Sequence, residues 1–264
     1  MQRMDGRAVV SVCHRDDQTG LERLFQQGAA KLLFPQGSGN QFEIVMINTA
    51  GGMTGGDSLE WEITSGANTS VVVTTQAAEK IYRALDDTLA QIKVHLRVEE
   101  KARLCWLPQE TILFDCSACM RRLEVDMAED AELLLCETTV LGRQVMGEKI
   151  TRAVFRDNWV VRRNNQIIHA EALHLGPDVE KEMIAAALLN GCGAMASVLL
   201  VASDCERFLS RAREIIGPGG GISSWEGKLL ARLFDRDGYS LRKRLVALIQ
   251  LLNGVGGTPE IWSI

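Results

Sequence analysis

Four carboxylates stand in stretches that carry little other charge, and carboxylate oxygens are what a passing divalent cation would touch. Asp57 closes Asn48-Thr49-Ala50-Gly51-Gly52-Met53-Thr54-Gly55-Gly56-Asp57, and Glu79 sits in Thr74-Thr75-Gln76-Ala77-Ala78-Glu79-Lys80. Glu137 interrupts Leu133-Leu134-Leu135-Cys136-Glu137-Thr138-Thr139-Val140, and Glu171 lies in Ile168-His169-Ala170-Glu171-Ala172-Leu173-His174. A buried carboxylate is costly unless it is paired, bound to metal or solvated in a cavity. The set therefore reads either as ordinary ion pairing, Glu79 with Lys80 or Arg83 and Glu148 with Arg143, or as a wet, acid-lined passage. Carboxylates hold such ions less tightly than imidazole or thiolate, which suits transfer over storage.

Other candidate chemistry is thinner. On a strand, His169 and Glu171 share one face and could touch nickel or zinc, while His174 falls on the other face, so no facial triad forms. Cys116-Ser117-Ala118-Cys119 has the spacing of a metal or redox pair. No second pair completes a zinc site, and the plainer reading is incidental thiols in an exposed loop. The glycines of the first stretch suggest a folded-back connection between two strands. They lack the Lys and Ser/Thr of a phosphate-binding loop and are followed by Asp57 and a strand pattern, not a helix. No nucleophile elbow or paired-carboxylate signature stands out, so an enzyme is unsupported.

These side chains are set in a chain of 264 residues with a net charge of −5, which gives no basic field for nucleic acid. Seven irregularly spaced cysteines and an N-terminus without a long apolar stretch predict a reducing, cytoplasmic setting. The longest largely apolar runs, Met183 to Leu189 and Ala194 to Ala202, fall far short of the ~20 residues that span a bilayer.

From Phe42 to about Leu175 the dominant period is two, clearest in Gln91-Ile92-Lys93-Val94-His95-Leu96-Arg97-Val98-Glu99. Short strands are also expected at Ala8 to Val12 and Leu32 to Pro35, with a charged, Gln/Gly-rich connection between them. A loose echo recurs at Ile63 to Val73, Leu96 to Leu107 and Val125 to Leu135, each two strands about a turn holding Ala67, Ala102 or Ala131. Each echo is followed by an acid: Glu79, Glu110 or Glu137. Units of about 30 residues that pair two strands predict stacked sheets or an irregular solenoid, with the post-strand segments along one flank.

After Gly176-Pro177, a short helix is expected over Asp178 to Leu189, then a strand from Ala194 to Ala202. Ser203 and Glu206 match a capping box, with helical spacing through Phe208, Leu209, Ala212, Ile215 and Ile216. Strands near Ile222 to Trp225 and Lys228 to Phe234 precede a helix carrying Leu241, Leu245, Leu248, Ile249 and Leu252 on one face, closed by Gly254. The fold class is thus mainly β: stacked, β-helix-like sheets with a C-terminal α+β portion carrying two α-helices. A single domain is expected over 1–264, its β-rich body at about 1–175 and a strand-helix-strand-strand-helix portion at about 190–264.

The ordered motifs resemble those of the UreD (UreH) urease accessory proteins. Asn48 to Asp57, with Gly51, Gly52, Gly55 and Gly56, is similar to the family's glycine signature, and Thr74-Thr75-Gln76-Ala77-Ala78-Glu79-Lys80-Ile81-Tyr82-Arg83 to its second. Trp106-Leu107-Pro108-Gln109-Glu110-Thr111-Ile112-Leu113-Phe114 resembles a third signature, and Leu141-Gly142-Arg143-Gln144-Val145-Met146-Gly147-Glu148 a fourth, with Glu171-Ala172-Leu173-His174-Leu175 also matching. The resemblance implies a non-catalytic metallochaperone scaffold that binds apo-urease and the accessory proteins UreF and UreG. It would bind no permanent cofactor and would pass transient nickel through an internal tunnel. Asp57, Glu79, Glu137 and Glu171 are the candidate tunnel residues, no metal ligand is firm, and a structural adaptor without nickel passage is the alternative. The chain departs from the family in placing Cys116 and Cys119 where a glycine-type turn follows Phe114-Asp115, and in its glycine-rich segment Gly217-Pro218-Gly219-Gly220-Gly221.

Overall fold

The structure, a computed structural model, describes residues 3–35, 41–85, 88–142, 147 and 149–263. Strand β1 (Asp5–Arg15) turns through Asp16 and Asp17, both at positive φ, into antiparallel β2 (Gln18–Gly28), and β3 (Ala30–Leu33) pairs antiparallel with β4 (Phe42–Asn48). The stretch read as a connection between two short strands is thus largely β2. It pairs on one side only and is exposed on both faces, so no buried side chains impose a period on its sequence.

The echo is a solenoid. Its coils are β5 (Ser58–Ser65), β6 (Ser70–Thr75) and β7 (Glu79–Ile81), then β8 (Ala90–Val98), β9 (Arg103–Trp106) and β10 (Thr111–Leu113), then β11 (Ser117–Met127) and β12 (Glu132–Leu141). The parallel strand β13 (Ala153–Arg163) and its antiparallel partner β14 (Gln166–Leu175) complete one side. Ser58 lies beside Gln91 and Cys119 beside Ala90, a step of about 30 residues per coil. Within each coil the first long strand joins a seven-stranded sheet, ordered β14-β13-β11-β8-β5-β1-β2, and the second crosses to a ten-stranded one. The glycine stretch carries the chain from β4 in the second sheet to β5 in the first.

Most core side chains lie between these sheets, including Ile44, Leu96, Leu104, Leu123, Phe155 and Trp159. The first sheet has one wet face, hence the alternation of buried Ile92, Val94 and Leu96 with exposed Gln91, Lys93 and Arg97 along β8. The second sheet is covered on both sides. The two C-terminal helices, α2 (Leu209–Ile216) and α3 (Gly238–Asn253), pack with β15 (Ala194–Val201), β16 (Gly220–Trp225) and β17 (Lys228–Asp235) around a second core. That core includes Leu134, Cys136, Leu241, Leu245 and Leu248. Burial on both faces explains the unbroken apolar runs in β12 and β15, because neither face rewards a polar side chain.

Two local expectations are corrected. Helix α1 covers only Val179–Ile184, capped where Asp178 accepts from the Lys181 amide. The chain then turns through Asn190 and Gly191 at positive φ, and Ile184 and Leu188 are exposed, so no buried face prolongs the helix. At Ser203 to Glu206 a 3-10 turn, Cys205–Phe208, precedes α2, with Asp204 as its N-cap and no side-chain capping bond. Arg207 lies 2.6 Å from the Asp204 carboxylate. Gly217 and Gly254, both near φ 60°, end α2 and α3 as the sequence predicts.

Candidate functional site

Strand parity places four polar side chains between the sheets where β10, β11, β12 and β13 face one another. Inward positions on β11 are Cys119, Leu123, Val125 and Met127, and Arg121 shares their parity; on β13, Asp157 shares the parity of Phe155 and Trp159. Arg121 Nε and Nη2 donate to Asp157 Oδ1 and Oδ2 at 2.9 and 2.6 Å, and Nη1 donates to Thr111 Oγ1 at 3.0 Å. Across the interior, Glu137 on β12 accepts from Trp106 Nε1 at 2.8 Å through Oε1. Its Oε2 lies 2.5 Å from Arg121 Nη1 in an ion pair, and among the described residues it makes no aligned hydrogen bond. Arg121, Glu137 and Asp157 are each 4% exposed. Burial raises Glu137 above the usual carboxylate range, outweighing the pull of Arg121, while the Asp157 charge raises it further.

A cavity of about 210 Å³ adjoins this group, and its wall includes Glu137, Asp157, Glu171, His174, Ser197 and Arg232. Glu171 reaches it from β14. Its Oε1 accepts from Ser197 Oγ at 2.8 Å, whereas Oε2 lies 3.3 Å from Arg232 Nη2 and 3.8 Å from His169 Nε2. Among the described residues neither Glu171 Oε2 nor His169 Nε2 makes an aligned hydrogen bond beyond these ion-pair contacts. Burial would raise Glu171, but His169, Ser197 and Arg232 together hold it below its ordinary range. Two of the four sequence candidates, Glu137 and Glu171, thus share one cavity.

Asp57 and Glu79 lie elsewhere. Asp57 is buried in the glycine loop, where Oδ1 accepts the Met4 amide at 2.9 Å and Oδ2 the Thr54 amide at 2.8 Å. The loop is clasped to β7, with the Met53 amide donating to Lys80 O at 2.8 Å and the Tyr82 amide to Met53 O at 2.7 Å. The Tyr82 hydroxyl donates to Gly51 O, and Thr54 Oγ1 to the Arg83 carbonyl. Gly55 and Gly56 pack against Thr88 and Arg3. In the third motif, Pro108 is buried, and the Gln109 side chain donates to the Thr75 and Gln76 carbonyls. Gly142, at positive φ, donates its amide to Leu113 O, and Gly147 is also at positive φ. Arg143 and Glu148, and the ion pair expected between them, lie outside the described residues.

Glu79 takes hydrogen bonds from Asn48 Nδ2 at 3.0 and 3.3 Å, in place of an ion pair with Lys80 or Arg83 among the described residues. Burial pushes its carboxyl up to about 7. The folded chain therefore keeps a proton that the unfolded chain releases near the ordinary value of 4.5. This group's contribution to stability is greatest below that value and is lost as pH rises to about 7. Glu79→Gln is expected to remove this loss, so thermal unfolding at pH 5, 6 and 7 should show the wild type falling relative to the variant.

One of the two thiols departs from the exposed-loop expectation. Cys116 occupies the turn at φ 60°, where a glycine-type turn would sit, and donates to Asp115 Oδ2 at 3.4 Å. Cys119 is buried on β11, because its parity is that of Arg121 and Leu123, and burial pushes its thiol up to about 12. Among the described residues no group of three or more His, Cys, Asp or Glu side chains is placed to hold a metal ion. No helix among them is long and apolar enough to cross a membrane.

The sequence candidates did not include Arg121 or Asp157. The available signal was parity: each is a charged residue in phase with the buried side of its strand.

Residues 4–263 match the family model described as UreD urease accessory protein. The chain is 46% identical over 267 residues to the urease accessory protein UreD of Mesorhizobium japonicum, an alignment covering 100% of this chain and 95% of the relative. Identity to the urease accessory protein UreD 1 of Brucella abortus is also 46%, with 100% and 95% covered, and to that of Brucella anthropi 43%, with 99% and 95% covered. This chain belongs to the UreD family of urease accessory proteins.

Proposed function

We propose that this chain is a cytoplasmic, non-catalytic scaffold that bridges apo-urease to the UreF and UreG accessory proteins and hands nickel onward through its interior. The observation that carries the reading is a pair of buried carboxylates, Glu137 and Glu171, that line the same cavity, each with Oε2 in an ion pair with an arginine but in no aligned hydrogen bond among the described residues. A passing cation would compete with Arg121 and Arg232 for these two oxygens. Carboxylates bind nickel loosely enough to release it. Asp57 and Glu79 lie outside that cavity and take no part in this step, and nickel is cargo and not a resident cofactor.

The second reading is an adaptor through which no nickel moves. It is favoured by Asp57, whose carboxylate is satisfied by two backbone amides. Replacing Glu137 and Glu171 together with Gln separates the two. Under limiting nickel, metal analysis of urease matured with this variant should show at least a several-fold drop in occupancy while co-purification with UreF and apo-urease is unchanged. Normal occupancy would leave the adaptor.

A further inference from the structure

We infer that the Arg121 guanidinium occupies a divalent-cation position between Glu137 and Asp157, acting as a built-in counter-ion that an entering metal must displace. The inference deepens the nickel-passage reading and rests on it for its biological meaning, but it makes a separate claim about one residue.

Carboxylates from different sheets face each other at this point, Glu137 from the ten-stranded sheet and Asp157 from the seven-stranded one, with Thr111 Oγ1 on a third strand. Among the described residues a single cation serves both acids, through Nε, Nη1 and Nη2. With both acids ionised the local charge is one negative unit beside the guanidinium and zero beside a divalent ion, and the raised Glu137 carboxyl makes up the difference with a proton while Arg121 is in place. The pairing is unequal. Arg121 gives Asp157 two aligned hydrogen bonds and meets Glu137 Oε2 at 2.5 Å in an ion pair without an aligned one.

A swing of the guanidinium that keeps both Asp157 hydrogen bonds has to break the Glu137 ion pair and the Thr111 hydrogen bond, both made by Nη1. The cavity of about 210 Å³ bordered by both Glu137 and Asp157 offers space beside it. The Phe155 ring, 5.5 Å from the guanidinium carbon, would also accept a displaced cation. Without Arg121 the two acids and the threonine hydroxyl would make an all-oxygen site with no competing charge, and a transit point would become a trap. Arg121 is thus a positioning residue that keeps the acids from retaining metal.

The test is metal retention by the full chain carrying Arg121→Met, stripped with chelator, exposed to nickel chloride and passed through gel filtration. The variant should retain about one nickel per chain, at least tenfold more than the wild type. Its melting temperature should rise with nickel or zinc, because a ligand that binds only the folded state stabilises it by mass action. Adding Glu137→Gln and Asp157→Asn should abolish both effects. If Arg121→Met folds poorly alone, recovery from denaturant with and without nickel gives the same readout, and failure to recover in either case overturns the inference. Retention equal to the wild type, or retention that survives loss of both acids, also overturns it. Equal retention alongside a fall in urease nickel with the Glu137 and Glu171 variant would sink the counter-ion role and leave the passage standing.

Discussion

Replacing Arg121 with Met, in the absence of added metal, is expected to lower stability by about 3–5 kcal/mol, because the loss strands the buried Glu137 and Asp157 carboxylates without their shared counter-ion. The dry setting decides the magnitude. An exposed pair such as Arg211 with Glu214 is screened by water, and its removal should change little. Arg121 is 4% exposed, so bulk water screens its ion pairs little. Replacing all three members with apolar residues of matched volume should be much less harmful than replacing Arg121 alone, since no unpaired charge is then left behind. Urea denaturation of the single and triple variants checks both statements. A single-variant loss below about 1 kcal/mol would mean that the acids simply take up protons, in keeping with the raised Glu137.

The second large effect is expected at the glycine loop. Gly52 has φ 155°, and a Cβ there would lie 2.4 Å from Tyr82 Cε2 and 2.8 Å from the Lys80 carbonyl oxygen. That carbonyl already accepts the Met53 amide, so it cannot retreat without opening the clasp between loop and β7. Gly52→Ala should therefore cost about 2–4 kcal/mol, combining backbone strain with displaced backbone. Its neighbour provides the control. Gly51 has φ 75°, and a methyl group added there would meet nothing within 4 Å, so Gly51→Ala should cost only the left-handed strain of about 1–2 kcal/mol. Thermal melts of the two variants compare them directly, and equal losses would show that Tyr82 and β7 yield easily.

These two sites differ in how far they can be read from sequence. Four glycines in six positions announce a tight, close-packed loop, because only backbone conformation and approach reward that residue so often. That Gly52 is crowded depends on β7 and the residue after it, since Lys80 and Tyr82 reach the loop only after the coil has closed. Arg121 shows the reverse problem. Its parity marks it as inward, yet a lone Arg in a run with Arg122 reads as a solvated face until the opposing sheet supplies Glu137. The edge strand β2 was invisible for a third reason, since a strand exposed on both faces leaves no hydrophobic period.

Local alternation, coil length and the glycine and motif residues were enough to determine the β-rich solenoid, the two C-terminal helices and the kinship, because each depends on neighbours close along the chain. The meeting of Arg121, Glu137 and Asp157, the sharing of one cavity by Glu137 and Glu171, and the separate placement of Asp57 and Glu79 were decided only by tertiary structure. Those outcomes depend on which strands face each other across the core, and that is set by the packing of whole sheets, about which no single stretch of residues carries information.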